Sequence, residues 1–140
     1  MASYPQDGKT YPGKQLEQEN LGGLADRLGT TLNRLAEVAM HLGANAMSPQ
    51  VLTAFAFAYR FMAVSVVVVM GWMLLWRAAV AAEKLQAGGK AKDKKFYEGV
   101  IKSAEYFIQC VLPVTMGKME AIMLSAPAAV QIEEDSFGGK

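Results

Sequence analysis

The sequence predicts an all-α fold, most simply an antiparallel bundle of three to four helices with one very long central helix. Two patterns carry that expectation. Leu21, Leu24, Leu28, Leu32, Leu35, Val38 and Leu42 recur at steps of three and four, the period of one helix face. From Ser48 to the Gly88-Gly89 pair the chain stays largely apolar, with no proline after Pro49, far beyond the length of a strand. No stretch alternates like a half-buried strand, and the β-branched run Val66 to Val69 lies inside the helical pattern.

The order of elements follows from caps and breakers. Residues 1–14, MASYPQDGKTYPGK, read as a flexible leader, polar and interrupted by Gly and Pro where a signal peptide needs an apolar core. Residues 15–126 form the helical bundle, and 127–140 a loop and acidic tail. Helix one runs from about Lys14 to Leu42, where Gly43 and Asn45 are suited to end it. Ser48 offers an N-cap and Pro49 a first helical position, so helix two starts there and extends roughly 57 Å at 1.5 Å per residue. Helix three begins at Asp93, carries Phe96, Val100, Ala104, Phe107 and Val111 on one face, and is kinked or broken by Pro113. Its Met-rich continuation reaches about Leu124, and Pro127 argues against further helix.

Helix two is apolar on two faces. Phe55, Tyr59, Met62, Val66, Val69, Met73, Trp76 and Val80 form one heptad seam. Phe57, Phe61, Val64, Val68, Gly71, Leu75, Ala78 and Ala82 form another, about 200° away around the helix. Either helix one covers one seam and helix three the other, or, since a bundle of this size is hard pressed to cover both faces, the second is covered by a symmetry mate or another domain. A bilayer span is the weaker reading: the 16 residues between Arg60 and Arg77 fall short of the about 20 required. Extending the segment N-terminally puts Arg60 near its middle, at a cost of about 2.5–3.5 kcal/mol. Arg60 instead is expected to pair with Glu98 or Glu105 on helix three and fix the register of the bundle.

Composition narrows the function. With 140 residues and net charge +1, and with lysines clustered only in KAKDKK, the chain lacks the electrostatic footprint of a nucleic-acid binder. One cysteine, Cys110, excludes an internal disulfide and suits a reducing, cytoplasmic compartment; on an apolar helix it reads as a small core residue. With His41 the single histidine, a His/Cys metal site is excluded, and His41 suits a contact with the last carbonyls of helix one. The GKT at 8–10 lacks the glycine a phosphate loop needs five residues before Gly8. Glu133, Glu134 and Asp135 read as solvated carboxylates of an exposed tail, without the burial that general acid–base work needs. Trp72, Trp76 and Tyr59 read as packing anchors, while Met116, Met119 and Met123 fill gaps or line an adaptable contact.

The runs AYRFMAVSVVVVMGWMLLWRAAVAAEKL, FYEGVIKSAEYFIQCVLP and IEEDSFGG, in that order, resemble the helical domain at the C-terminus of a subset of bacterial acyl-CoA dehydrogenases, over about residues 16–138. Tyr106, Phe107, Val111, Leu112 and Pro113 match the aromatic pair and the following apolar-proline run; Glu134, Phe137 and Gly138 match the closing acidic segment. Glu105 departs from the basic residue common before that pair. The resemblance implies an accessory domain of an FAD-dependent oxidoreductase of fatty acid metabolism, docking on its catalytic body or a symmetry mate. The glutamate base and the FAD site of such enzymes lie upstream of the matched region. This chain is accordingly expected to hold no cofactor and to be non-catalytic alone. A membrane-associated helical protein, or a substrate-covering domain contributing acyl-CoA contacts, are the alternatives. The interaction candidates are Arg60, Glu98, Glu105, Phe57, Phe61, Val64, Val68, Leu75, Tyr106 and Phe107.

Overall fold

A computed structural model describes residues 12–138, with side chains from Asn20 onward; the leader, apart from its last three residues, and the GKT segment lie outside the described residues. The fold is all-α, as the periodicity requires, with no strand among the described residues. Helix α1 spans Pro12–Ala46, α2 Val51–Ala56, α3 Ala58–Ala87, α4 Ala91–Tyr106 and α5 Leu112–Leu124. A π-helical turn, Phe107–Val111, joins α4 to α5, and a four-residue α6, Ala128–Gln131, precedes a 3-10 turn at Glu134–Phe137.

Three long rods pack as an up-down-up bundle. Val64 of α3 meets Val38 and Leu42 of α1 and Met119 and Ile122 of α5 at one end. Val68 lies with Leu24, Leu28, Ile108 and Leu112 in the middle. Ala78, Ala81 and Ala82 pack on Ile101 and Ala104 at the far end. As α3 advances its partners recede along α1, α4 and α5, so α3 runs antiparallel to both other rods. Gly71 sits at the crossing: a Cβ there would lie 3.3 Å from Leu28 Cδ1 and 3.6 Å from Phe107 Cε1.

Several boundaries differ from the sequence expectation, each for a local reason. Helix α1 passes Gly43 and ends at Ala46, with Asn45 donating to Ser125 Oγ at 3.4 Å and not acting as a terminal cap. Ser48 shapes a turn, donating to the Asn45 carbonyl and accepting from the Gln50 amide, and the next helix starts only at Val51. The long second helix is interrupted at Phe57 (φ −96°, ψ −1°), a bend that lets Thr53 and Ala54 bury while α3 takes its own direction. Pro113, which has no N–H and crowds the carbonyl four residues back, does not break the third helix but widens it into the π-turn. The buried line on this rod is Ile101, Ala104, Ile108 and Leu112, so Phe96 is left exposed. On α1, Thr31 buries where Leu32 was expected, its hydroxyl bonded to the Arg27 carbonyl. Pro127 stands as the N-cap of α6, not as the end of helical structure.

The central packing makes a direct prediction. Ile108, fully buried beside Val68, should cost about 2–5 kcal/mol as Ile108→Ala. Gly71→Leu should cost about 1–3 kcal/mol by overpacking, whereas Gly71→Ala should be near neutral, because the tip of Leu28 can yield and helix propensity improves by about 1 kcal/mol. Urea unfolding midpoints at constant m-value check all three.

Candidate functional site

The most unusual surface on the molecule is the outer face of α3. The seam Phe57, Phe61, Val64, Val68, Gly71, Leu75, Ala78, Ala82 is buried or half-buried inside the bundle. The other seam points to solvent along its whole length, from 75 % exposure at Tyr59 to 41 % at Met73. From Gly71 onward the inner seam is small, Leu75 apart, because α1 and α4 approach closely there, and the bulk of that half, Trp72, Met73, Trp76 and Val80, stands on the far side. Three rods give each helix one interior stripe, and α3 has two apolar stripes to cover.

Trp72 and Trp76 reinforce that face, their rings stacked with centroids 6.2 Å apart. Toward the far end Met73, Trp76, Arg77 and Val80 border an open groove of about 360 Å³, closed on its other side by Phe96, Tyr97 and Val100 of α4. A second groove, of about 190 Å³, lies between Trp72, Val69 and Val68 of α3 and Leu28 and Leu32 of α1. Such a surface binds by removing apolar area from water. No group of three or more His, Cys, Asp or Glu side chains comes together to hold a metal among the described residues. The α3 helix and the continuous Ala91–Leu124 rod are each long and apolar enough to cross a membrane, judged by length and composition only.

The expected Arg60 ion pair does not form among the described residues. The guanidinium lies over the Phe57 ring, 5.9 Å from its centroid. Register is the reason: α4 packs on the Ala78–Ala82 end of α3, roughly 27–33 Å along the axis from Arg60 at 1.5 Å per residue. Glu98 is exposed, and Glu105 accepts from Lys102 Nζ at 2.6 Å and Asn20 Nδ2 at 3.2 Å. Phe57, Phe61, Val64, Val68 and Leu75 all serve the internal core, so the open face is the seam beginning at Phe55. Tyr106 points outward and Phe107 is half-buried against Gly71. Cys110 is exposed, contrary to its expected place in the core, because the π-turn rotates it off the buried line. Met119 is fully buried, with Met116 and Met123 packed against the same cluster, which makes these methionines gap-fillers.

The inter-rod polar ties escaped sequence reasoning. Arg34 of α1 bonds Glu120 of α5 through Nε (3.0 Å) and Nη2 (2.6 Å) and also pairs with Glu37. Its bonds to Glu37, then Glu120, raise the Arg34 pKa above its already high ordinary value. His41 Nε2 lies 2.7 Å from Ser125 Oγ, which itself donates to the Ile122 carbonyl at the left-handed end of α5 (φ 46°). Asn45 Nδ2 lies 3.1 Å from the same His41 nitrogen and donates to Ser125 Oγ at 3.4 Å, so the three side chains form one polar cluster. The contact is therefore with another helix, not with the last carbonyls of α1. Only the spacings of three, Arg34–Glu37 and Lys102–Glu105, were signals in the sequence.

Glu105 carries a pH dependence. Bonds from Lys102 and then Asn20 hold its carboxyl below the ordinary 4.5. A depressed folded pKa gives stability that is fully present above the unfolded value and is lost as pH falls through the folded one. The stability difference between the protein and Glu105→Gln should be constant from pH 7 to pH 5 and shrink below pH 4.5, with a plateau of no more than about 1 kcal/mol. Urea midpoints across that range read it.

Comparison with known proteins places this geometry. A family described as "Acetyl-CoA dehydrogenase C-terminal like" matches residues 9–133. The broad-specificity linear acyl-CoA dehydrogenase FadE5 of Mycobacterium tuberculosis is 32 % identical over 69 residues, 49 % of this chain and 11 % of that protein. A butyryl-CoA dehydrogenase of Syntrophomonas wolfei is 29 % identical over 82 residues, 58 % of this chain and 13 % of that protein. The matched regions thus span only about a tenth of the curated relatives' length. With most of its residues covered by the family match, this chain belongs to the acetyl-CoA dehydrogenase C-terminal-like family.

Proposed function

We propose that the chain acts as an accessory helical domain of an FAD-dependent acyl-CoA dehydrogenase, serving docking or oligomerisation in the cytoplasm and not catalysis by itself. The observation that carries this reading is the outer face of α3, a continuous apolar strip left uncovered by the rest of the fold. The names of the relatives support the parent activity, oxidation of an acyl-CoA by a dehydrogenase. The chain's own residues do not fit a flavin. The grooves bordering α3 at Trp72, Trp76 and Phe96 are lined mostly by apolar side chains, with Arg77 and Lys95 as their cations and Tyr97 and Ser103 as their hydroxyls, and among the described residues no buried unpartnered polar atom faces them. FAD would be held by the catalytic body of such an enzyme.

A second reading, in which the domain covers the acyl chain of the substrate, rests on the groove formed by Met73, Trp76, Val80, Phe96 and Val100. The purified chain should be colourless in the flavin band and should give no turnover of butyryl-CoA with an artificial electron acceptor. Bound flavin or turnover contradicts the accessory reading. Saturable heat on titration with butyryl-CoA or a longer acyl-CoA, lost in Trp76→Ala, favours the second reading.

A further inference from the structure

We infer that the outer face of α3 is covered by a second copy of this chain, packed antiparallel about a two-fold axis between Val66 and Val69. The inference rests on the accessory, docking reading and names the occupant of its surface. Its first support is register. An isologous interface demands that if residue i meets j, then j meets i. The exposed seam satisfies this with matched chemistry: Val66 of one copy falls against Val69 of the other, Met62 against Met73, and Tyr59 against Trp76. Steps of four and three place these residues on one seam, the spacing that lets two helices interdigitate over several turns.

Charge is the second support. No ionisable side chain lies on the seam between Tyr59 and Trp76. Arg60 is turned to the Phe57 ring at the edge of the bundle, so it does not meet its own copy. Arg77, one residue beyond Trp76, falls beside the ring of Tyr59 of the other copy, where a guanidinium is attracted to the π-face. Area is the third. Ten large apolar residues from Phe55 to Val80, each roughly half-exposed, leave on the order of 1,000 Å² free, which exceeds the about 800 Å² per partner of a stable interface.

The test uses the whole chain with Cys110→Ser as background, since Cys110 is exposed. Light scattering after gel filtration, from micromolar to submillimolar loading, should show mass rising to twice the 15.1 kDa of one chain. Val66→Lys, at an exposed position, should keep the helical circular dichroism and weaken association at least tenfold. Met62→Cys with Met73→Cys should give a covalent dimer on mild oxidation, and neither single variant should. A monomer at every loading overturns the inference. So does cross-linking by a single variant, which would report parallel helices, and so does a monomer that co-sediments with phosphatidylcholine/phosphatidylglycerol vesicles, which would give the face to lipid. The flavin and turnover assays are independent of mass: an inactive monomer refutes the dimer alone, whereas turnover refutes the accessory reading whatever the mass.

Discussion

The close approach of α3 to its neighbours through Gly71, Ala78, Ala81 and Ala82 is the constraint from which the rest of the structure follows. With little side-chain volume between backbones, α4 lies along the far half of α3, and Leu28, Phe107 and Leu112 converge on Gly71. Bulkier residues at these positions would force the rods apart and open the buried clusters that depend on their separation. Because the inner face is spent on small residues from Gly71 onward, Leu75 apart, the bulk of that half, its two tryptophans, Met73 and Val80, stands on the outer one. The uncovered strip is thus the counterpart of the tight core and not a defect in packing.

Polar contacts set the rods' relative slide. Asn20 to Glu105, Arg34 to Glu120 and His41 to Ser125 occur in order along α1 and along the α4–α5 rod, so the two run parallel with matched spacing. Each is at or near the surface and individually worth little, since exposed pairs are screened and hold flexible side chains. Together they select one register among those a leucine-rich stripe would tolerate. The π-turn before Pro113 adjusts the rotation between α4 and α5, which lets Ile101, Ala104, Ile108 and Leu112 face α3 continuously across the proline.

Much of this was legible in the sequence because it depends on short-range periodicity. The helical class, the Gly88-Gly89 stop and the two apolar seams of the second helix could all be read from spacing alone. Which seam faces inward could not be read from hydropathy, because both are apolar; the discriminating quantity is volume, with Gly and Ala concentrated on one of them. Arg60 misled because a charge inside an apolar run demands a partner, whereas the α2–α3 bend places it at the edge over Phe57. Cys110 and the buried line near Pro113 depend on a helical turn with an altered period, which a fixed 3.6-residue count misassigns. The Arg34, His41 and Asn20 ties join residues more than 80 positions apart, beyond any local signal.

The placement of Gly71, Ala78 and Ala82 inward and of Trp72, Trp76 and Tyr59 outward is the central claim, and Trp72 and Trp76 are the only tryptophans in the chain. Tryptophan emission with acrylamide quenching, followed as the protein is diluted well below any self-association, tests it directly. The structure predicts red-shifted emission and efficient quenching of both rings at high dilution. Blue-shifted emission that resists quenching at every dilution, with the helical circular dichroism intact, would show the tryptophans in the internal core and contradict the account.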